Sequence, residues 1–370
     1  MTASSFEAAR LTVRLGAVAA NYRECGRLAG PAAVAGVVKA DAYGLGMIPV
    51  AKALAAEGCD SFFVARIEEG VALRRALAEA RIFVLDGASP AAIPALVAHK
   101  LTPVLNSLDE IAAWAGAARG QRGGLDAALQ IDTGMNRLGL PPYEVTTLAA
   151  EARTRLAGLR VVLIVSHLAS SDDPASPQNA EQLRRFRTAL AMLPPAPASL
   201  SSSGGILLGR DYSFDMVRPG IGLYGGNPQP GQPNPFAVAA ALTGRILQRR
   251  RIDKGEPVGY AASYRSARPM LLATVALGYA DGLMRAIGNR GVGAIGGVRV
   301  PVVGRVSMDL ITLDVSEVPE ALSAPGGTAE FFGDTIRLEE LAAAAGTANY
   351  EILTSVSPRV PRHYLGEAAR

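Results

Sequence analysis

At 370 residues the chain exceeds the roughly 250–300 that a single hydrophobic core organises, so two domains are expected. A net charge of +4 is spread along the sequence, and its one dense arginine cluster, 249–251, is too short for a nucleic-acid footprint. Hydrophobic residues at 49% with only 5% aromatics exclude a disordered chain, and two isolated cysteines, Cys25 and Cys59, exclude a disulfide scaffold or a zinc site and read as free thiols in a reducing compartment.

The opening MTASSFEAAR shows no basic region followed by an apolar stretch, and no run of roughly 18 apolar residues occurs, so a cytoplasmic protein is expected. Short apolar runs then follow at 34–39, 61–65, 81–86, 102–105, 127–132, 161–167, 199–203 and 216–220. Between them lie Ala/Leu/Glu/Arg-rich stretches of helical periodicity, such as 67–79, 108–119 and 182–192. Eight strands alternating with helices predict an α/β architecture, a (β/α)8 TIM-type barrel over residues 10–230, with reacting groups where strands run out into loops. Lys39 ends the first run, His167 the sixth, and Arg218 stands near the end of the eighth. No GxGxxG follows the first run, which disfavours an open doubly wound sheet.

The segment GGNPQPGQPNP (225–235) is rich in proline, glycine and asparagine and reads as a connector. Extended runs dominate after it, at 240–249, 270–277, 291–304, 306–315 and 329–332, with a hairpin loop at 253–255. They predict a C-terminal, mostly β-strand domain over 235–370, with one short helix near 338–345 and residues 1–9 as a candidate addition to it.

The stretch VVKADAYGLG (37–46) carries the sharpest chemistry. An apolar, β-branched run that ends in a lysine places an amine at the mouth of a buried strand, where desolvation lowers its pKa and frees the nucleophilic neutral form. From this motif alone, a surface lysine just past a strand fits equally well.

Six motifs in order resemble those of the alanine racemases, fold type III pyridoxal-phosphate enzymes: VVKADAYGLG (37–46), DTGMNRLG (132–139), RPGIGLYG (218–225), PVGYAASY (257–264), LGYADG (277–282) and VGRVSMD (303–309). The resemblance implies that Lys39 carries pyridoxal 5'-phosphate and serves as a base on one face of the substrate Cα. Tyr260 would be the opposing base, and its phenol, with an ordinary pKa of about 10, needs neighbouring positive charge to work near neutrality. His167 and Arg218 resemble the hydrogen-bond network behind that tyrosine. An arginine cannot give up its proton, so Arg218 facing the pyridine nitrogen would leave the ring a weaker electron sink, suited to proton exchange alone. By the same resemblance Tyr43, Ser203, the amides of Gly220 and Ile221, and Tyr350 in ANYEIL hold the phosphate, while Arg137 grips the substrate carboxylate with the Met308 amide assisting and Asp309 supporting that loop. No metal is implied. Tyr260, Met308 and Asp309 would reach the partner's cofactor, which implies a homodimer with composite sites.

Three positions depart from the family pattern: Gln130 stands where many members have a carbamylated lysine, Ser202 replaces an asparagine, and VRLGA (13–17) lacks the usual acidic residues. The implied reaction is interconversion of L- and D-alanine for peptidoglycan, with a racemase preferring serine or of broad specificity as the alternative. A decarboxylase of similar architecture would carry an acidic residue at 218, and a cofactor-homeostasis barrel would lack the second domain.

Overall fold

The apolar runs become short parallel strands because each is buried on both faces, as the fully buried Ser61–Val64 illustrates. In a computed structural model, which describes residues 7–366, seven of them form one sheet in sequence order. They are Gly36–Val37, Ser61–Val64, Arg81–Val84, Thr102–Leu105, Leu125–Gln130, Leu159–Val165 and Ala198–Ser199. The eighth run supplies Met216–Val217, which pairs in parallel with Ala33–Val34 at the start of the first stave. On its other side, Asp215 N donates to Ala198 O at 3.0 Å and Arg218 N to Ser201 O at 2.8 Å. These bonds bring the last stave against the seventh and curl the sheet into a TIM-type barrel. Phe63 and Phe83 fill its interior, stacked with ring centroids 4.6 Å apart, while Phe62 faces the helices.

The helices wrap the outside as periodicity requires. Ile67–Ala76 and Leu108–Ala118 match the predicted stretches closely, whereas the third helix starts earlier, at Pro177, because proline suits the first turn where its missing N–H costs nothing.

The second domain is an eight-stranded sheet built on the long strand Ala240–Ile252. That strand pairs antiparallel with Met270–Ala276, Thr328–Phe332 and Ala9–Arg14. The last pairing joins residues 9–14 to this sheet, although the sequence counts residues from 10 onward with the barrel. Ala9–Arg14 also pairs in parallel with Arg362–Leu365, so segments far apart in the chain share one sheet. The run 291–304 folds as a hairpin, Val292–Ile295 and Val298–Pro301, turning at Gly296 and Gly297 with φ of 56° and 82°. The helix Leu338–Ala345 lies where the sequence places it, and a further helix, Asn349–Thr354, carries Tyr350. Residues 1–6 of the opening segment and 367–370 of the second domain lie outside the described residues.

Candidate active site

The first stave ends at Val37, two residues before Lys39, which heads a short turn, Lys39–Tyr43. Ala40, Asp41, Ala42 and Tyr43 all sit in the left-handed region, with φ of 52°, 53°, 52° and 55°. Side chains avoid that region because Cβ meets the following carbonyl, at a cost of about 1–2 kcal/mol per residue. The sequence predicts a lysine at a strand end and a turn closed by Gly44 and Gly46; the inverted turn between them carries no glycine to signal it. It is held by the Asp41 carboxylate, which accepts from Met47 N at 2.7 Å, by Gly46 N donating to Asp41 O at 2.8 Å, and by Ala40 N donating to Glu69 Oε1 at 2.6 Å. Its result is a Tyr43 side chain buried between Tyr224 and Tyr350, ring centroids 4.9 and 6.0 Å away.

One cavity of about 360 Å³ at the barrel mouth collects Lys39, Tyr43, Gln130, Arg137, His167, Ser202, Ser203, Arg218, Gly220, Ile221 and Tyr350. At one end, Gly220 N and Gly222 N both donate to Ser203 Oγ at 3.0 Å. Two main-chain donors thus converge on one oxygen, the pattern a phosphate oxygen requires. Gly220 has an ordinary φ of −126°, yet space demands glycine there, since a Cβ would overlap the Tyr43 hydroxyl. Burial pushes the Tyr350 phenol up to about 12, and the Tyr43 phenol is raised for the same reason, so both present a neutral O–H as donor.

Arg218 is buried in the cavity wall, at the ends of the sixth and seventh staves. One terminal nitrogen donates to Ser199 O at 2.8 Å and to the Ser199 hydroxyl, the other to Ser166 O at 2.5 Å, and the guanidinium lies 5.7 Å from the Phe63 ring centre. No carboxylate pairs with it among the described residues, and burial lowers its pKa to about 10, leaving it protonated near neutrality. Desolvation, reinforced by Arg218, Arg137 and Lys39, pushes His167 down to about 3, so its ring is neutral. Lys39 is likewise lowered, first by desolvation and then by Arg137, with Glu69 and Asp86 opposing. The cavity wall therefore carries lysine and arginine but no carboxylate, an environment complementary to an anionic group with a second carboxylate beside it.

The Arg137 loop owes its shape to Asp132, whose Oδ1 accepts from Gly134 N, Met135 N and Asn136 N at 2.9, 3.0 and 3.1 Å. Gln130 donates to Leu138 O at 3.2 Å, bracing the same loop from below. Buried Gln182 donates to Thr133 Oγ1 at 3.0 Å and His167 O at 2.9 Å, which ties this loop to the sixth stave. The predicted residue set omits Asp132, Gln182 and Glu69. Glu69 had a legible signal, a carboxylate at the third position of a helix; Gln182 had none, because its partners are brought in by the fold.

Tyr260, Met308 and Asp309 do not join this cavity. Tyr260 is 68% exposed in a short turn, Tyr260–Ala262, and Met308 is 54% exposed. Asp309 pairs at 2.7 Å with Arg359, which also holds Asp281.

Known proteins share this arrangement. The alanine racemase N-terminal domain family matches residues 13–228, and the C-terminal domain family matches 239–364. An alanine racemase of Rhodospirillum rubrum is 49% identical over 97% of this chain and 96% of its own, and a catabolic alanine racemase of Mesorhizobium japonicum is 45% identical over 96% and 93%. Among solved structures, the alanine racemase of Bartonella henselae with covalently bound pyridoxal phosphate superposes with a TM-score of 0.92 at 37% identity, covering 97% of this chain and 99% of that one. The biosynthetic alanine racemase of Pseudomonas aeruginosa gives 0.91 at 33% identity, covering 98% and 100%.

Proposed function

This chain belongs to the alanine racemase family, and we propose from that premise that it interconverts L- and D-alanine with pyridoxal 5'-phosphate on Lys39. The observation that carries the reading is the single cavity in which Lys39, Arg218, Arg137 and the Ser203–Gly220–Tyr43 cradle meet. The cradle fits a phosphate, and the Arg218 guanidinium, which no carboxylate among the described residues pairs, fits a ring nitrogen. When bound, the cofactor supplies the conjugated ring that makes the α-proton of an amino acid removable.

The chain's own residues supply the remainder. Arg137 takes the substrate carboxylate, its loop fixed by Asp132, and the Met308 amide of a second chain completes the contact. Lys39 Nζ, with its pKa lowered by burial and by Arg137, takes or returns the proton on one face of Cα. Tyr260 Oη of a second subunit does so on the other face. Arg218 stays protonated and has no lone pair to offer, and His167, pushed down to about 3, is too weak a base to compete. The exposure of Tyr260 and Met308 supports a homodimer, since both side chains are idle on an isolated subunit. Within the chain, the division is a barrel domain ending near 230 and a second domain from 235, to which residues 9–14 add a strand.

In this reading the enzyme works in the cytoplasm, and the two buried free thiols, Cys25 and Cys59, are compatible with a reducing compartment. Its physiological task in this reading is D-alanine supply for peptidoglycan; a deletion strain that requires D-alanine supports it, and one that only loses growth on alanine assigns the catabolic role. Assay of purified protein with added pyridoxal phosphate against L-alanine and L-serine tests the activity itself. Faster racemisation of alanine is expected; a preference for serine, or no racemisation, overturns the substrate assignment.

A further inference from the structure

Four consecutive left-handed residues without glycine do not persist on local preference, so something outside the turn must select them. Beside the packing of Tyr43 on Tyr224, Glu69 reaches the turn from another barrel unit with a hydrogen bond to its backbone. Its Oε2 accepts from Ala65 N and Arg66 N at 2.9 and 3.1 Å, capping its own helix, while its Oε1 crosses to the preceding loop and accepts from Ala40 N at 2.6 Å. Ala40 is both the first left-handed residue and the one that follows Lys39, so this bond fixes the direction in which the lysine leaves the backbone.

We propose that Glu69 is a positioning residue: one carboxylate caps a helix and, at the same time, selects the inverted turn that aims the Lys39 amine and the Tyr43 hydroxyl into the cavity. This rests on Lys39 being the cofactor lysine. The barrel contains its own control. Glu110, at the corresponding place two units further on, bonds Asn106 N at 2.8 Å and the Ala88 amide of the preceding loop, which lends the cavity wall only the apolar Leu85 and none of the residues assigned to the cofactor. A carboxylate needed only to seal the barrel mouth would matter equally in both places.

The test compares the full chain with Glu69→Ala, Glu69→Gln and Glu110→Ala. Glutamine preserves size but offers one acceptor, and with that oxygen held by the two capping amides its N–H faces the Ala40 amide, so the crossing bond is the one lost. If removal of the bond leaves the competent turn populated in a tenth of molecules, the apparent Kd for pyridoxal phosphate rises about tenfold. Both Glu69 variants are expected to show that rise by absorbance titration, and faster amide exchange across 40–46 in the cofactor-free chain, while Glu110→Ala loses comparable thermal stability with its Kd within about twofold of the parent. Glu69 variants that match Glu110→Ala in Kd and exchange overturn the proposal. Borohydride reduction and peptide mapping of the parent separate the two ideas: label absent from Lys39 refutes the lysine assignment, whereas label on Lys39 with unaltered Kd in the variants refutes Glu69 alone.

Discussion

Single residues in this site are constrained by space and by charge, and the two constraints predict different failures. Gly220→Ala places a methyl against the Tyr43 hydroxyl, so cofactor affinity should fall by about tenfold or more, roughly 1.4 kcal/mol, with the thermal midpoint little changed, as read by absorbance titration beside calorimetry. His167 is a question of charge. Its pKa drops from 6.5 in the unfolded chain to about 3 in the folded one, so the unfolded state binds the proton first as pH falls. The stabilising contribution is complete above 6.5 and is lost progressively toward 3, which predicts a loss of a few kcal/mol over that window. His167→Asn should flatten that acid limb in a pH series of thermal midpoints; an unchanged slope would show that other groups set it. At this scale the motifs name Lys39 and Arg218, and the structure brings both to one cavity. The sequence was silent where the reason for a residue is a contact made by the fold, as with Gln182 bridging Thr133 and His167.

Among the elements, the loops at the strand ends matter more than the strands. The eight apolar runs were legible because burial on both faces leaves an uninterrupted hydrophobic signature. The turn after the first run was not, since Ala40 to Tyr43 have no composition that betrays left-handed backbone and depend on bonds from Asp41 and Glu69. The strand Ala9–Arg14 was anticipated only through residues 1–9 as a candidate addition, for a similar reason: its sheet partners are supplied by residues more than two hundred positions away. The Arg137 loop gives a test at this scale. Asp132→Ala strips an acceptor from three amides and frees the loop, so KM for alanine should rise about tenfold while kcat and the Kd for pyridoxal phosphate change little. Equal losses in kcat and in cofactor affinity would mean that the loop shapes the whole cavity and not the carboxylate grip.

The molecule as a whole presents one cavity with an amine, an anion cradle and a carboxylate-binding arginine, and it presents on another domain a tyrosine and a methionine turned outward. Family motifs made both halves legible in sequence, and the geometry leaves Tyr260 and Met308 outside the cavity of their own chain. Their separation supports the proposal that the site is the property of a pair of subunits, and it is this claim that reaches furthest. Its direct test mixes two inactive proteins, Lys39→Ala and Tyr260→Phe, and measures alanine racemisation in purified heterodimers. With Lys39 and Tyr260 drawn from different subunits, each heterodimer holds one complete site and one lacking both bases, so about half the parent activity per dimer should return. Heterodimers that remain as inactive as the two parents would contradict the account, because both bases would then belong to the same chain.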